Sequence, residues 1–378
     1  MRTLISEIVA KDGQEVEIKG FAQTIRDQGK IVFILLRDAT GLIQIVFTKE
    51  YLETMQKAQT VTIESVIAVK GLVKKEPQAP GGFEIFGKEL EILSLSDPEL
   101  PIPILEKGNQ EEADQAIRLD WRWLDLRKSR NLLTFQVWTT LEAAFRDYWV
   151  KNNYIEIHTP KLIGAPSESG AEVFEVKYFE RVAYLAQSPQ FYKQMAMAGG
   201  FEKVFEVGPV FRAEPSFTSR HATEFTGYDA EFSYIDSHED VMAEEEKTIA
   251  YALRAVKEKH GEAIEAEFDR VVVVPDVPFP RISMKEAKEI LKGLNVPSEK
   301  EGDLSPEEER RISEHVKEKE GHEFVFITDY PATVRPFYHM RHEDDETLTK
   351  SFDLLWNGLE ITTGAQREHR YDVLVSQA

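Results

Sequence analysis

The chain has 378 residues, which is too long for one hydrophobic core and suits two domains. Its 42% hydrophobic and 30% charged composition is that of an ordinary globular protein, and no apolar run is long enough to cross a bilayer. The chain has no cysteine, which excludes disulfides, thiol catalysis and thiolate zinc sites, so any metal would need oxygen ligands.

Charge is unevenly distributed along the chain. The net charge of −21 disfavours indiscriminate nucleic-acid binding, because phosphate affinity comes from clustered lysine and arginine. Residues 1–103 hold 12 basic and 15 acidic side chains, so most of the negative charge lies further along and the amino-terminal part is less repelled by nucleic acid. The first residues lack the features of a signal peptide, which predicts a cytoplasmic protein that does not associate with membranes.

Residues 15–95 alternate between short strand-like runs and turn signals. Five runs rich in β-branched and apolar residues are separated by polar turns, and Asp38-Ala39-Thr40-Gly41 has the composition of a tight hairpin. A helix-like stretch at 51–59 follows the third run. Five strands with a helix after the third predict an OB-fold β-barrel over residues 1–103, and such barrels commonly bind oligonucleotides.

A linker and a second domain follow the barrel. The prolines of 97–104 break both helix and strand, which predicts a linker over 104–130. From 131 to 378, strand-like runs arrive in pairs and helices are gathered between them, at 131–152, 238–259 and 305–319. This order predicts an α+β domain on an antiparallel sheet. For the acidic segment 299–320 the sequence suggests only a solvated surface.

A nucleotide would have to be held by side chains, because the chain has no glycine-rich phosphate loop. Arginine suits this role, since its planar fork grips phosphate at two points and stays charged. Arg212 follows an apolar run, Glu214 comes two residues later, and Arg220, His221 and Phe225 follow a short loop. Taken alone, Arg-x-Glu is more often a surface salt bridge than a binding site.

The order Phe-Arg-x-Glu, a loop and His-x-x-x-Phe resembles motif 2 of the class II aminoacyl-tRNA synthetases. The resemblance implies that Arg212 binds the α-phosphate of ATP, that Glu214 binds the adenine amino group and that Phe225 stacks on adenine. It also implies that His221 reaches the terminal phosphates and that Arg220 belongs to the ATP site. Arg212, Glu214 and His221 are the expected catalytic residues.

The segment 154–160 (YIEIHTP) is similar to motif 1 of the same class. In that class the proline of the motif sits at the dimer interface, so the resemblance places Pro160 there and implies a homodimer. A proline that ends a strand is common in any protein, so this motif is weak when taken alone.

The segment 187–194 (QSPQFYKQ) resembles the amino-acid signature of the aspartyl-tRNA synthetases of class II. The resemblance implies L-aspartate as substrate and puts Ser188, Gln190 and Lys193 in its pocket, with Lys193 on the side-chain carboxylate. Asp229 matches the family aspartate that orients this lysine. Glu168 resembles the acidic residue of a loop that closes over the α-amino group. Any one of these residues alone would be taken for a solvated charge.

The segments 352–354 and 358–369 resemble the family's magnesium-binding and substrate-binding strand pair. Asp353 and Glu360 would supply oxygen ligands, which suits Mg²⁺ bound together with nucleotide phosphates. Glu360 would also contact ATP, while Thr363 and Arg367 would hold aspartate. The alternative is that Asp353 and Glu360 merely cap strands.

In the predicted barrel, Arg26, Phe33 and Gln44 match the positions that stack on and read the anticodon uracil in aspartyl enzymes. Stacking on aromatic rings is typical of single-stranded recognition, although a phenylalanine in a strand could equally belong to the core. The resemblance implies tRNA(Asp) as partner. Pro80 lies where relaxed members of the archaeal type tend to carry proline, which extends the hypothesis to tRNA(Asn).

The similarity to the archaeal type covers essentially all 378 residues, with one departure. Class II enzymes carry a third motif, a glycine-rich strand and helix with an arginine at the ATP site, and the sequence ends at Ala378 without it. We therefore expect the sheet to lack a strand and the ATP site to lack a cation. A second hypothesis is a catalytically impaired chain that binds tRNA or a synthetase partner, and a third is an amidating relative, which the barrel disfavours.

Overall fold

The computed structural model describes residues 2–105, 112–167, 173–213 and 222–378. It divides the chain into two compact units, Met1–Lys128 and Ser129–Ala378. None of the helices in these ranges is both long enough and apolar enough to cross a membrane.

The first unit is built on a closed five-stranded barrel with strand order β1-β2-β3-β5-β4. Its elements are β1 (Glu15–Asp27), β2 (Ile31–Asp38), β3 (Gly41–Thr48), α1 (Leu52–Ala58), β4 (Val66–Lys75), β5 (Phe83–Ser94), α2 (Gln115–Asp120) and α3 (Arg122–Asp125). The predicted OB-type barrel is confirmed, with the helix after the third strand and the hairpin turn at Asp38–Gly41.

Alternation along the strands produces the core of the barrel. In β2 every second residue is buried, and Val32, Ile34 and Leu36 are completely buried, while the residues between them face outward. Gly71 of β4 allows close packing, because a Cβ there would lie 2.2 Å from the carbonyl oxygen of Phe86. The outer face of the same strands is therefore free to carry polar and aromatic side chains.

Most of the described residues in the segment predicted as a linker belong to the first unit. Arg127 donates a hydrogen bond to Glu64 Oε2 at 3.1 Å, and Arg37 pairs with the same oxygen at 2.8 Å. Glu64 is 2% exposed, so the two arginines neutralise a buried charge.

The second unit contains three small sheets with strand orders β11-β10-β6, β12-β13-β14-β15 and β7-β9-β8. Its strands are β6 (Ile155–Glu156), β7 (Leu162–Ile163), β8 (Glu175–Tyr178), β9 (Arg181–Leu185), β10 (Lys203–Phe211), β11 (Glu224–Phe232), β12 (Arg281–Ser283), β13 (Phe324–Thr328), β14 (Ser351–Trp356) and β15 (Leu359–Ala365). Its helices are α4 (Ser129–Lys151), α5 (Gln190–Ala198), α6 (His238–Phe268), α7 (Met284–Gly293), α8 (Pro306–Glu320) and α9 (Tyr371–Gln377).

The predicted α+β architecture on antiparallel strands is confirmed in this unit. Strands β10 and β11 pair antiparallel from Lys203↔Phe232 to Phe211↔Glu224, and β13, β14 and β15 form an antiparallel run. Helix α6 begins with a capping box at Ser237 and packs its apolar side against β13 and β14 through Met242 and Ile249. Within the described ranges, β11 and β15 each pair along one edge only.

The acidic segment 299–320 is more than a solvated surface, contrary to the interpretation from sequence. Its helix α8 buries Ile312 and Val316 in a core shared with α7 and β13. Glu308 is completely buried and accepts a 2.6 Å hydrogen bond from Lys288 of α7. The acidic composition of this segment suggested that all of its charges are solvated. One of its glutamates, Glu308, is instead paired with a lysine inside the protein.

Candidate active site

A cavity of about 1020 Å³ lies between β11, α5, α6 and β15. Its wall includes four side chains that the sequence analysis assigned to the substrate pocket, namely Lys193, Asp229, Thr363 and Arg367. Strand alternation on β11 turns Asp229 and Glu231 to one face, and the first turn of α5 carries Gln190 and Lys193. Residues far apart in sequence thus converge on one site.

Lys193 is almost fully buried and contacts two carboxylates. Its Nζ donates to Asp229 Oδ1 at 2.8 Å and lies 3.4 Å from Glu231 Oε2. Burial alone would lower the pKa of Lys193, but the charges of Asp229 and Glu231 outweigh it and raise that pKa. The lysine is therefore held in its cationic form.

Arg367 reaches the same place from the segment after β15. Its Nε donates to Glu231 Oε1 at 3.2 Å and its Nη2 donates to Gln190 Oε1 at 3.0 Å. Its guanidinium also lies 5.4 Å from the centroid of the Tyr338 ring. Gln190 Nε2 closes the network by donating to the other oxygen of Glu231 at 3.4 Å.

Glu231 connects every part of this network, although the sequence analysis did not assign it to the site. Burial would raise the pKa of the Glu231 carboxyl, but Arg367 and Lys193 lower it, so it remains ionised. We name the set Lys193, Asp229, Glu231 and Arg367 the charge ring. It places two cations and two anions together, and all four residues line the cavity.

His339 is a second residue that the sequence analysis missed. It pairs with Arg367 in an isolated β-bridge and is 3% exposed. Desolvation together with the positive charges of Arg367 and Arg335 lowers the pKa of His339 well below its ordinary value. A neutral imidazole therefore stands beside the charge ring and does not repel its cations. The sequence gives only a weak indication that His339 belongs to the site, because a single histidine among apolar residues usually has a structural role.

Ser188 and Ser167 flank the entrance to α5. The Gln190 backbone N–H donates to Ser188 Oγ at 3.2 Å, which fixes the start of the helix, and Ser188 Oγ lies 3.5 Å from Ser167 Oγ. The Ser167 backbone N–H donates to the side chain of Gln187 at 3.1 Å. Glu168, the predicted residue of the closing loop, lies outside the described residues.

Arg212 and Phe225 come together at the end of the β10–β11 hairpin. The Arg212 guanidinium lies 5.5 Å from the centroid of the Phe225 ring, and its backbone N–H donates to Thr223 at 3.0 Å. Its buried Nε finds no hydrogen-bond acceptor within the described ranges, while the Phe225 ring is 39% exposed. A cation with an unused donor next to an open aromatic ring suits a phosphate and a flat base. Three predicted ATP ligands, Glu214, Arg220 and His221, lie outside the described residues.

Asp353 and Glu360 lie on neighbouring strands, β14 and β15. Asp353 Oδ2 accepts a 2.6 Å hydrogen bond from Arg335, while its buried Oδ1 is unpaired among the described residues. The residue Glu360 is solvent-exposed as a whole, but desolvation of its carboxyl group and the charge of Asp353 raise the pKa of Glu360 to about 7. An unpaired carboxylate oxygen beside a second acid is a donor set that fits a hard divalent cation.

The predicted anticodon residues Arg26, Phe33 and Gln44 lie together on the outer face of the barrel. Arg26 lies 5.6 Å from the centroid of the Phe33 ring and donates to Gln44 Oε1 at 3.3 Å. Gln44 in turn donates to Glu84 at 3.0 Å. Phe33 is half-buried and is not part of the barrel core. Pro80 begins a 3₁₀ turn, Pro80–Gly82, between β4 and β5.

Exposed apolar side chains line one side of α4, the long helix before the motif 1 segment. Leu132, Phe135 and Trp138 are spaced by three residues and are each at least 36% exposed, and the last two rings lie 5.0 Å apart. Pro160 is also exposed. A stripe of this kind on a long helix is a candidate contact surface.

Two protein-family models match the chain. The model described as tRNA synthetases class II (D, K and N) matches residues 114–377, and the model described as OB-fold nucleic acid binding domain matches residues 16–93. Together they span both units of the structure.

Archaeal ligases are among the proteins that this chain resembles in sequence. The aspartate–tRNA(Asp/Asn) ligase of Methanopyrus kandleri is 44% identical over 369 residues, which cover 97% of this chain and 83% of that protein. The aspartate–tRNA(Asp) ligase of Pyrococcus abyssi is 40% identical over 382 residues, which cover 100% of this chain and 86% of that protein.

Similar solved structures include both aspartyl and asparaginyl enzymes. The asparaginyl-tRNA synthetase from Pyrococcus horikoshii, complexed with asparaginyl-adenylate, matches with a TM-score of 0.92 at 34% identity, covering 100% of this chain and 86% of that one. The aspartyl tRNA synthetase from Entamoeba histolytica matches with a TM-score of 0.86 at 31% identity, covering 100% and 80%.

Proposed function

We propose, from the premise that this chain belongs to the aspartate–tRNA ligase family of class II tRNA synthetases, that its second unit joins L-aspartate to tRNA. In the first step, the α-carboxylate of aspartate attacks the α-phosphorus of ATP and displaces pyrophosphate. In the second, the terminal adenosine hydroxyl of tRNA takes the aspartyl group and AMP leaves. The protein contributes by positioning the reactants and stabilising charge.

The charge ring is the observation that carries the choice of aspartate. Lys193 and Arg367 present cationic donors to one cavity, and Asp229 and Glu231 hold them in place. A side-chain carboxylate can accept hydrogen bonds from both cations, whereas the amide of asparagine would direct a donor at one of them. Aspartate is therefore the amino acid that this pocket suits.

We assign the remaining substrate contacts from the resemblance of their segments to the family motifs, and of these residues Thr363 lines the same cavity. Ser188, Gln190 and Thr363 would bind aspartate, and Glu168 would close over its α-amino group. Arg212 would bind the α-phosphate and Phe225 would stack on adenine, with Glu214, Arg220 and His221 completing the ATP site. Asp353 and Glu360 would hold Mg²⁺, which neutralises phosphate charge when it is bound.

Aspartate-dependent exchange of pyrophosphate into ATP tests this assignment. We expect exchange with aspartate and background exchange with asparagine. Arg367→Ala should lower kcat/KM for aspartate by about 10- to 100-fold, because it removes a charged hydrogen bond worth about 1.5–3 kcal/mol. Arg311→Ala, on the exposed side of α8, is the matched control and should retain wild-type exchange.

Two outcomes would contradict the assignment. Equal exchange with asparagine would show that the charge ring does not select the amino acid, and an unimpaired Arg367→Ala variant would remove that residue from the site. Background exchange combined with tight tRNA binding would instead favour the hypothesis of a tRNA-binding chain without catalysis.

We further propose that the chain charges tRNA(Asn) as well as tRNA(Asp). Pro80 at the β4–β5 turn supports this choice, and the ligase of Methanopyrus kandleri is named for both tRNAs. The measurement is aspartylation of the two tRNA transcripts under identical conditions. Comparable rates are expected, and undetectable charging of the tRNA(Asn) transcript would leave tRNA(Asp) as the only substrate.

We also propose that two copies of the chain associate through α4 and the segment that contains Pro160. The exposed stripe of Leu132, Phe135 and Trp138 supports this arrangement, because burying it would remove large apolar surfaces from water.

A further inference from the structure

The outer face of the barrel carries a second pairing of an aromatic ring with a cation. Lys74 Nζ of β4 lies 3.6 Å from the centroid of the Phe86 ring of β5. Arg26 and Phe33 form the first pairing. Cation–π contacts hold a ring in place and increase the positive potential beside it. Both features favour a flat ligand with an attached phosphate.

The two aromatic rings belong to one row across the sheet. Phe33 of β2 is the register partner of Val46 of β3, and Val46 is the register partner of Phe86. Directly paired residues point to the same face of a sheet, so all three side chains share the outer face. Two strand spacings separate the rings, which is about 10 Å.

Phe86 is not required to complete the core of the barrel. The core is formed by its inward-facing neighbour Ile85, which is completely buried, whereas Phe86 is half-buried on the other side of the strand. Val46 between the two rings is only 5% exposed, so the rings flank a covered apolar floor. The adjacent row carries the hydrogen-bonded pair Gln44 and Glu84. Polar groups able to bond base edges therefore lie next to both rings.

We propose that Phe86 and Lys74 form a second stacking site, which holds another unpaired base of the RNA loop whose first base stacks on Phe33. This inference rests on the proposed function, since it assumes that the barrel face meets the anticodon loop of tRNA. Base–aromatic stacking tolerates any base, so the site adds affinity and fixes the path of the loop without reading sequence. Lys74, whose Nζ lies over the Phe86 ring in the free chain, would move off the ring to contact the phosphate beside the stacked base.

The test measures binding of the full chain to a fluorescent anticodon stem-loop of tRNA(Asp) by anisotropy. Phe86→Ala should weaken binding by about 5- to 150-fold, the range for loss of stacking on one base, and Phe86→Tyr should retain it. Lys74→Met should weaken binding less and reduce its salt dependence. Leu52→Ala, which shortens an exposed apolar side chain on α1 away from this row, is the matched control and should bind like the wild type.

Abasic nucleotides in the loop identify the stacked bases. With the wild-type chain, removal of the base at either of two loop positions should weaken binding. At one of them Phe86→Ala should have no additional effect, and at the other Phe33→Ala should have none. The abasic scan with the wild-type chain does not depend on the folding of any variant.

The outcomes separate the inference from its premise. If Phe33→Ala weakens binding and Phe86→Ala does not, or if both variants couple to one loop position, the second site is wrong and anticodon binding stands. If neither variant weakens binding and no abasic position matters, the barrel face does not bind the loop and the premise is wrong as well.

Discussion

At the scale of single residues, Glu231 is the side chain that links the cations of the charge ring. It accepts hydrogen bonds from Arg367 and Gln190 and lies within 3.4 Å of Lys193. The motifs in the sequence indicated the cations and one aspartate, but not this carboxylate. An acidic residue on a strand of a strongly acidic chain gives no signal until the fold shows what surrounds it.

We predict that Glu231→Gln raises KM for aspartate by about tenfold or more, because Arg367 and Lys193 lose the negative charge that holds them in place. The variant should also lose about 1–3 kcal/mol of unfolding free energy, since a buried charge loses a partner. Pyrophosphate exchange and urea unfolding measure the two effects. Glu231 is a positioning residue in this prediction, so kcat should fall less than kcat/KM.

Glu206→Gln provides a control for the stability effect. Glu206 lies on the neighbouring strand β10, is 3% exposed and contacts Lys161 at 2.8 Å. Its replacement should destabilise the chain to a similar degree with little change in KM for aspartate. If both variants changed KM equally, the effect of Glu231 would be a general consequence of lost stability.

Glu245 of α6 should make stability depend on pH. Desolvation raises the pKa of Glu245 to about 7, and Thr362 donates a hydrogen bond to its carboxylate. Because the folded-state pKa lies above the unfolded value, the contribution to stability is complete below about pH 4.5 and is lost as pH rises through about 7.

We therefore predict that Glu245→Gln changes the pH profile of unfolding. Between pH 5 and pH 7.5, the unfolding free energy of the wild type should fall by about 1–3 kcal/mol more than that of the variant. Urea unfolding across this range provides the measurement. Glu265→Gln, at an exposed position of the same helix, should keep the wild-type profile. Parallel profiles for all three proteins would show that Glu245 is not the titrating group.

At the scale of elements, the barrel was predictable from sequence and much of the second unit was not. Strands such as β2 face water on one side, so alternation along the sequence reports them directly. The strands β6 and β7 have only two residues each and are defined by their partners, not by a pattern of their own. Helix α7 was missed, although Ser283 and Glu286 form its capping box.

The same limit applies to the candidate site. Residues in recognisable motifs, such as Lys193 and Arg212, could be assigned from the sequence, because their neighbours along the chain identify them. Glu231, His339 and Glu245 gain significance only from neighbours that are distant in sequence. The spacing of apolar and polar residues along the sequence cannot show contacts between residues that are distant in sequence.

Helix α4 gives a prediction about assembly. Trp138→Glu should weaken self-association by about 30-fold or more, because large aromatic side chains at the centre of an interface commonly contribute 2 kcal/mol or more. Sedimentation at several protein concentrations measures the dissociation constant. Lys319→Glu reverses a charge at an exposed position of a different helix, α8, and should have little effect. A wild-type chain that sediments as a monomer at every concentration would contradict the proposed dimer.

At the scale of the whole molecule, the division into two units predicts separable responses to ligands. Met1–Lys128 and Ser129–Ala378 have their own hydrophobic cores. A ligand stabilises the folded unit that binds it, by about 2.7 kcal/mol at a hundred times its dissociation constant. We expect aspartate with ATP to protect amides of the second unit from hydrogen exchange, and anticodon stem-loop RNA to protect those of the barrel.

Hydrogen exchange followed peptide by peptide with mass spectrometry distinguishes the two patterns of protection. Protection by the stem-loop confined to β2, β3 and β5 would agree with the proposed barrel face. Protection by the RNA confined to the second unit would contradict it. A stem-loop of unrelated loop sequence reports the unspecific contribution within the same chain.

The charge ring also constrains how such a pocket can change over evolutionary time. Replacing one of Lys193, Asp229, Glu231 and Arg367 leaves the others unbalanced, and breaking a buried ion pair from one side costs about 3–5 kcal/mol. That is a large share of the stability of an ordinary domain. A lineage that moves between acidic and amide amino acids would have to acquire stabilising changes elsewhere first, or alter two ring members together. Ancestral states of this pocket should therefore differ by coupled substitutions.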